Sequence, residues 1–213
     1  MAPEIKFCGL TRPLDAAQAE LEGGTYAGVV FAESPRRVTP VLARQILDGA
    51  PSLERVGVFG VAPTLEIVET AAVAGIGVIQ LHGDPDSAAI DSLRGRFAGE
   101  LWTVVRVDGD RVPADAAELA DVSNAIVLDT RSEVRLGGTG ARFDWRAVAA
   151  DISRWRGRAR LVIAGGLSSA NVAEAVSLFA PDVVDVSSGV ESSPGVKDHE
   201  KMRAFARAVG GRW

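Results

Sequence analysis

The chain has 213 residues, a formal net charge of −5 and a hydrophobic content of 47%, which is mostly aliphatic because aromatic residues contribute only 6%. This length suits one large domain or two small ones, and aliphatic enrichment is what strands buried on both faces require. No run of Lys and Arg reaches the density of a nucleic-acid-binding patch, so nucleic acid is excluded as the expected partner. No apolar stretch approaches the ~20 residues that cross a bilayer, and no signal peptide is visible.

Cysteine usage narrows the possibilities further. Cys8 is the single cysteine, so an intramolecular disulfide and a metal site built on cysteines are both excluded. A chain without disulfides fits the reducing cytoplasm, and we expect a cytoplasmic protein without a membrane partner.

Eight short apolar runs alternate with longer segments of helical spacing. The runs predict strands at Ile5–Cys8, Ala27–Phe31, Val56–Phe59, Val78–Leu81, Trp102–Val107, Ala125–Leu128, Leu161–Ala164 and Val183–Val186. The first helix is predicted to begin near Pro13, because proline suits a first helical turn, and Leu14, Ala17 and Leu21 share one of its faces.

The second helix is predicted to begin at Pro40, capped by Thr39, with Leu42, Ile46 and Leu47 facing inward. Eight strand–helix units in about 200 residues are the number and spacing of a (β/α)₈ TIM barrel, an α/β fold of eight parallel strands with outer helices. A doubly wound sheet is the alternative, because local patterns do not show whether the sheet closes. No linker or composition break is visible, which predicts a single domain over residues 1–213.

Glycine-rich loops follow the last three predicted strands. Glycine allows a close backbone approach to an anion, helix N-termini supply N–H groups, and barrels commonly bind phosphate after strands seven and eight. Glycines that only make tight turns are the alternative for each loop taken singly, but three neighbouring loops favour phosphate. The candidate phosphate-binding residues are Gly138, Thr139, Gly140, Gly165, Gly166, Ser187, Ser188 and Gly189.

Two further strand ends carry groups suited to acid–base chemistry. Cys8 ends the first strand, where a thiolate can act as nucleophile or proton acceptor, although a lone cysteine is more often a small buried hydrophobe. Asp129 ends the sixth strand, where it is either a proton donor or a structural carboxylate that caps a helix or pairs with a basic residue. From opposite sides of the rim, one group can donate a proton while the other removes one.

Three more residues are candidates for contacts with substrate. Arg36 follows Pro35 and can hold a carboxylate in a two-pronged contact, or it is a solvated arginine. His82 either orients substrate or caps a turn. Asp185 either binds sugar hydroxyls or pairs with a basic neighbour.

In order along the chain, these segments resemble the phosphoribosylanthranilate isomerase family of tryptophan biosynthesis over nearly the whole length. The matching motifs are Lys6-Phe7-Cys8-Gly9-Leu10-Thr11, Ser34-Pro35-Arg36, Gln80-Leu81-His82-Gly83, Leu128-Asp129, Gly137-Gly138-Thr139-Gly140, Ala164-Gly165-Gly166-Leu167 and Asp185-Val186-Ser187-Ser188-Gly189. The ordered set is highly specific, although any one glycine motif alone would be weak.

The resemblance implies a (β/α)₈ barrel that catalyses a cofactor-free Amadori rearrangement of N-(5-phosphoribosyl)anthranilate, a small sugar phosphate. It implies Asp129 as general acid, Cys8 as general base and Arg36 as the clamp for the anthranilate carboxylate. His82 and Asp185 would place the sugar, and the glycine loops would hold the phosphate. A monomer and a homodimer are both compatible with the sequence.

Two alternatives compete with this interpretation. Another sugar-phosphate isomerase, such as the related histidine-pathway enzyme, would use an aspartate in the first strand as base, and Cys8 argues against it. A non-catalytic barrel that binds a phospholigand would keep the glycine loops but lose the acid or the base. The presence of both Cys8 and Asp129 argues against that class.

Overall fold

The chain folds as a closed barrel of eight parallel strands in the order of the sequence. The computed structural model describes residues 2–107, 112–129, 145–152 and 156–210. The strands are β1 (Glu4–Phe7), β2 (Tyr26–Val30), β3 (Glu54–Phe59), β4 (Val78–Leu81), β5 (Glu100–Arg106), β6 (Ala125–Asp129), β7 (Arg160–Ala164) and β8 (Val183–Val186). Because β1 pairs with both β2 and β8, the sheet closes. The predicted barrel is confirmed, and the doubly wound alternative is excluded.

A helix follows each strand in the described parts of the chain. The helices are α1 (Pro13–Leu21), α2 (Pro40–Leu47), α3 (Thr64–Ala74), α4 (Ser87–Arg94), α5 (Ala116–Val122), α6 (Trp145–Ile152), α7 (Val172–Phe179) and α8 (His199–Gly210). The predicted start of the second helix is confirmed, since the Thr39 hydroxyl accepts a hydrogen bond from the Leu42 amide at 3.3 Å. None of the helices in the described ranges combines the length and apolar character that a membrane crossing requires.

Two core layers lie on either side of the sheet, because alternate side chains of each strand point to opposite faces. On β1, Phe7 points outward and packs edge-to-face on Phe205 of α8, with ring centroids 6.3 Å apart. The barrel interior is filled mainly by aliphatic side chains. Toward the N-terminal ends of the strands, the fully buried Trp102 packs against Tyr26, with ring centroids 4.9 Å apart. The opposite end of the interior is where a cavity opens.

The buried face of α1 is not its most apolar one, and the buried face of α2 differs in part from the predicted one. Leu14 and Leu21 are 67% and 79% exposed, and Leu42, which the pattern predicts to face inward, is 39% exposed. Small side chains take those places, with Ala16 and Ala19 buried in α1. Since alanine lets a helix approach the barrel closely, apolar periodicity alone selects the wrong face of a helix that packs through small residues.

A short antiparallel hairpin between β8 and α8 is absent from the predicted elements. A single 3₁₀ turn (Ser188–Val190) leads into β9 (Glu191–Ser193), which pairs with β10 (Val196–Lys197). Strands of three and two residues are too short for a periodic signal. The hairpin matters because it brings two charged side chains, Glu191 and Lys197, under the rim of the barrel.

Candidate active site

A cavity of about 250 Å³ opens at the C-terminal ends of the strands. Candidate residues from separate strands and loops converge on it. Those that line it are Cys8, Arg36, His82, Asp129, Gly165, Gly166, Asp185, Ser187 and Ser188. Of the remaining candidates, Gly189 directly follows Ser188 and lies beside the cavity, whereas Gly138, Thr139 and Gly140 lie outside the described residues.

Cys8 sits just past the end of β1 and points into the cavity. Its amide donates to the Val186 carbonyl of β8 at 2.9 Å, which continues the strand pairing and holds the residue in place. Burial raises the pKa of the Cys8 thiol, and the nearby ammonium of Lys6 offsets this only in part. Gly28 on β2 makes room for the sulfur, because a Cβ at that position would stand 3.0 Å from Sγ.

Lys6 and Asp185 form an ion pair inside the barrel. The two residues stand opposite each other in the β1–β8 register, and Lys6 Nζ donates to Asp185 Oδ2 at 2.8 Å. The side chains are 0% and 7% exposed. Burial by itself would lower the pKa of Lys6, but the charges of Asp185 and Cys8 outweigh it and raise that pKa. Lys6 is therefore a buried cation directly beside the candidate base.

Arg36 is held in a fixed orientation by Glu191 of the hairpin. Its Nε and Nη2 donate to the two carboxylate oxygens of Glu191 at 2.7 and 2.6 Å. Lys197 Nζ donates to the same carboxylate at 2.9 Å. Burial opposes ionisation of Glu191, but these two cations hold its pKa below the usual range. Because a guanidinium has five N–H groups, the edge of Arg36 not used by Glu191 remains able to bind an anion.

His82 and Asp129 line the cavity on the side of β4 to β6. The His82 amide donates to the Phe59 carbonyl at 2.8 Å, which extends β4 past Leu81 and turns the imidazole toward the cavity. Burial lowers the pKa of His82, although the charge of Asp129 opposes this, which favours the neutral ring. Asp129 is the last residue of β6 and is three strands away from β1 by way of β7 and β8.

The loops after β7 and β8 form the remaining wall. Gly165 and Gly166 have φ of +88° and +67°, in the left-handed region that side chains other than glycine rarely adopt. Gly189 packs so closely on the loop after β7 that a Cβ there would stand 1.8 Å from the Leu167 carbonyl oxygen. The glycines thus fix two adjacent backbone turns beside the cavity, which is the geometry that a phosphate-binding loop needs.

Three residues of the site have no role in the prediction from sequence. Lys6 and Gln80 occur in the recognised motifs, but only their burial reveals their positions. Gln80 lines the cavity, and among the described residues its Oε1 and the Oδ1 of Asp185 are the buried side-chain oxygens without a hydrogen-bond partner. Glu191 belongs to the unpredicted hairpin. No group of three or more His, Cys, Asp or Glu side chains in the described parts of the chain is arranged to hold a metal ion.

A (β/α)₈ barrel whose C-terminal rim gathers a thiol, a carboxyl group, a guanidinium and glycine turns defines a barrel enzyme that acts on a small phosphorylated molecule. The family model described as N-(5'phosphoribosyl)anthranilate (PRA) isomerase matches residues 5–208. The chain therefore belongs to the phosphoribosylanthranilate isomerase family, as its motifs predict, and it is an aldose–ketose isomerase by class.

Relatives and solved structures agree with this assignment over the full length. The N-(5'-phosphoribosyl)anthranilate isomerase of Geobacter sp. strain M21 is 42% identical over 206 residues, which cover 95% of each chain. The crystal structure of the isomerase from Thermotoga maritima, an enzyme described as dimeric, superposes with a TM-score of 0.87 at 33% identity, covering 98% of this chain and 99% of that one. A phosphoribosyl anthranilate isomerase in complex with reduced 1-(o-carboxyphenylamino)-1-deoxyribulose 5-phosphate gives a TM-score of 0.83 at 32% identity, with 98% and 99% covered.

Proposed function

We propose that this chain catalyses the Amadori rearrangement of N-(5'-phosphoribosyl)anthranilate, with Asp129 as general acid and Cys8 as general base. The observation that carries the proposal is that both side chains line one cavity, from β6 and from the end of β1. A substrate bound between them is within reach of both, so that one group delivers a proton while the other removes one.

The chemistry requires these two transfers. Asp129 protonates the furanose ring oxygen, and the ring opens to a protonated imine whose nitrogen belongs to the substrate. Cys8 then removes the proton from C2 of the sugar to give an enolamine, which tautomerises to the ketone. No Schiff-base lysine is required, and we propose that no cofactor takes part.

The remaining residues hold the substrate at its two charged ends and along its sugar. The edge of Arg36 not bound to Glu191 receives the anthranilate carboxylate in a two-pronged contact. His82, Asp185 and Gln80 place the sugar, and the buried oxygens of the last two accept hydrogen bonds from its hydroxyls. The phosphate is held by the turns at Gly165-Gly166 and Ser187-Ser188-Gly189, to which the family resemblance adds Gly138, Thr139 and Gly140.

We further propose that residues 1–213 form one catalytic domain that works in the cytoplasm as a monomer or a homodimer. The family model spans nearly the whole chain, which supports the single domain. A free, buried cysteine suits a reducing compartment. Light scattering coupled to gel filtration distinguishes a mass of 22.3 kDa from twice that value.

The activity is tested by joining anthranilate and phosphoribosyl pyrophosphate enzymatically in situ and then adding this protein. We expect the fluorescence of the substrate to fall in proportion to added protein, with the ketose product confirmed by mass and no free anthranilate released. Unchanged fluorescence with folded protein and intact substrate would refute the proposed reaction. It would favour a different sugar-phosphate isomerase or a barrel that only binds its ligand.

A further inference from the structure

The side chain of Lys6 lies at the centre of the site, although the two proton transfers do not use it. We propose that Lys6 is a positioning residue whose buried ammonium, held by Asp185, stabilises the thiolate of Cys8 as the proton acceptor. The inference rests on the proposed role of Cys8 as general base, and it names the group that enables a buried thiol to perform that role.

The strand geometry brings Lys6 and Cys8 together. They are two residues apart at the end of β1, so both side chains point into the barrel. A Cβ at Gly28 of the neighbouring strand would lie 3.0 Å from Cys8 Sγ and 3.3 Å from Lys6 Cε, which shows that the two side chains meet in the same narrow space. The charges of Lys6 and Cys8 act on each other, and for the thiol this opposes the effect of burial on its pKa. The ammonium is thus close enough to the sulfur to favour the thiolate.

Asp185 explains why the lysine keeps its charge at this depth. A fully buried ammonium without a partner would lose its proton, because burial disfavours the charged form. The contact with Asp185 Oδ2 at 2.8 Å supplies the opposite charge. Asp185 thus keeps Lys6 charged and holds its ammonium in place beside Cys8.

The other charged groups around Cys8 are arranged differently. Arg36 after β2 and Lys197 on β10 also exert their charge on the sulfur, but both are bound to the carboxylate of Glu191, which balances one of their two charges. Asp185 on β8 acts on the thiolate with the opposite sign. In the described part of the chain, Lys6 is therefore the cation that shares the space beside Gly28 with Cys8 and the one that most strongly offsets the effect of burial.

Alkylation of the single cysteine tests the inference without any turnover. The rate of carboxamidomethylation by iodoacetamide, followed by intact mass over a range of pH, reports the thiolate fraction of Cys8. The variants are Lys6→Met, which removes the charge and keeps the length, and Lys6→Met with Asp185→Asn, which leaves no unpaired buried carboxylate. Arg207→Met is the matched control, because it loses one exposed positive charge from the last turn of α8 that is not among the groups acting on Cys8.

We expect Lys6→Met to slow alkylation at pH 7 by about tenfold or more and to move its pH midpoint upward. The double variant should fall between Lys6→Met and the wild type, since it also removes the opposing charge of Asp185. Arg207→Met should react like the wild type. If both Lys6 variants fold and are alkylated with the wild-type pH profile, Lys6 only stabilises the pairing of β1 with β8 through its ion pair with Asp185, and the inference is wrong. A failure of the proposed reaction itself would appear separately, as turnover retained by Cys8→Ser.

Discussion

Replacing Glu191 with glutamine removes the charge at the centre of the Arg36–Glu191–Lys197 network while keeping its shape. The carboxylate accepts from Arg36 at 2.7 and 2.6 Å and from Lys197 at 2.9 Å. The side chains of Glu191 and Lys197 are 4% and 0% exposed, and that of Arg36 is 20% exposed. An amide carries no charge and offers one acceptor oxygen, so at least one of these cations loses its partner.

The expected loss of stability follows from this burial. Breaking a buried ion pair by neutralising one partner costs about 3–5 kcal/mol. The partial exposure of Arg36 and the remaining bond from Lys197 to the Ser187 carbonyl place Glu191→Gln at the lower end, about 3 kcal/mol. For a domain of this size we expect a fall in Tm of roughly 6–12 °C. Because Glu191 also orients Arg36, we expect the KM for N-(5'-phosphoribosyl)anthranilate to rise by a larger factor than that by which kcat falls.

Thermal and urea unfolding followed by circular dichroism give the stability, and the fluorescence assay gives the kinetics. Glu200→Gln is the matched control, because Glu200 pairs with Arg203 on the surface with its side chain 83% exposed. That control should unfold like the wild type. If Glu191→Gln is also as stable as the wild type and its KM is unchanged, the network neither supports the hairpin nor orients Arg36.

Three further predictions follow from groups around the barrel. Burial alone would raise the pKa of Asp15, but hydrogen bonds from a guanidinium and an imidazole hold it below its usual range. Asp15→Asn should therefore lower the free energy of unfolding above about pH 4, and the difference from the wild type should shrink as the pH falls further. Equal differences in the free energy of unfolding at pH 7 and pH 2, measured by urea titration, would contradict this. Since burial lowers the pKa of His82, its NMR titration midpoint should lie below 6.5, the ordinary value for histidine, and a higher midpoint would contradict this effect of burial. Gly189→Ala puts a methyl group 1.8 Å from a carbonyl oxygen and should lower the free energy of unfolding by about 3 kcal/mol. At Gly166 an added methyl group meets open space, so Gly166→Ala should cost only about 1 kcal/mol, because of the positive φ. If urea unfolding shows Gly166→Ala to be the more destabilising variant, this geometry is contradicted.

The strand pattern predicts the barrel because each strand is buried on both faces and therefore forms a continuous apolar run. The same reasoning finds the residues at the strand ends, since the fold itself brings successive ends together. Cys8 and Asp129 are 121 positions apart in the sequence, yet both line one cavity. The predicted candidates in the described residues accordingly converge on the cavity or, for Gly189, beside it.

What the sequence does not reveal is mainly pairing between distant charges. Lys6 and Glu191 resemble solvated residues in the sequence, because nothing local indicates that each is buried with partners from other elements. The inner face of α1 is not predicted for a related reason, since Ala16 and Ala19 give a weaker apolar signal than the exposed Leu14 and Leu21. Local patterns report hydrophobicity, whereas these features depend on three-dimensional packing.

The central claim is that Cys8 and Asp129 form the base and acid of one site. Its most direct test is the turnover of Cys8→Ser and Asp129→Asn in the fluorescence assay, together with calorimetric binding of reduced 1-(o-carboxyphenylamino)-1-deoxyribulose 5-phosphate. We predict that kcat falls by at least about a hundredfold in each variant, while the analogue binds within a few-fold of its wild-type affinity. Near-normal turnover in both variants would contradict the account, and so would loss of analogue binding in parallel with loss of turnover.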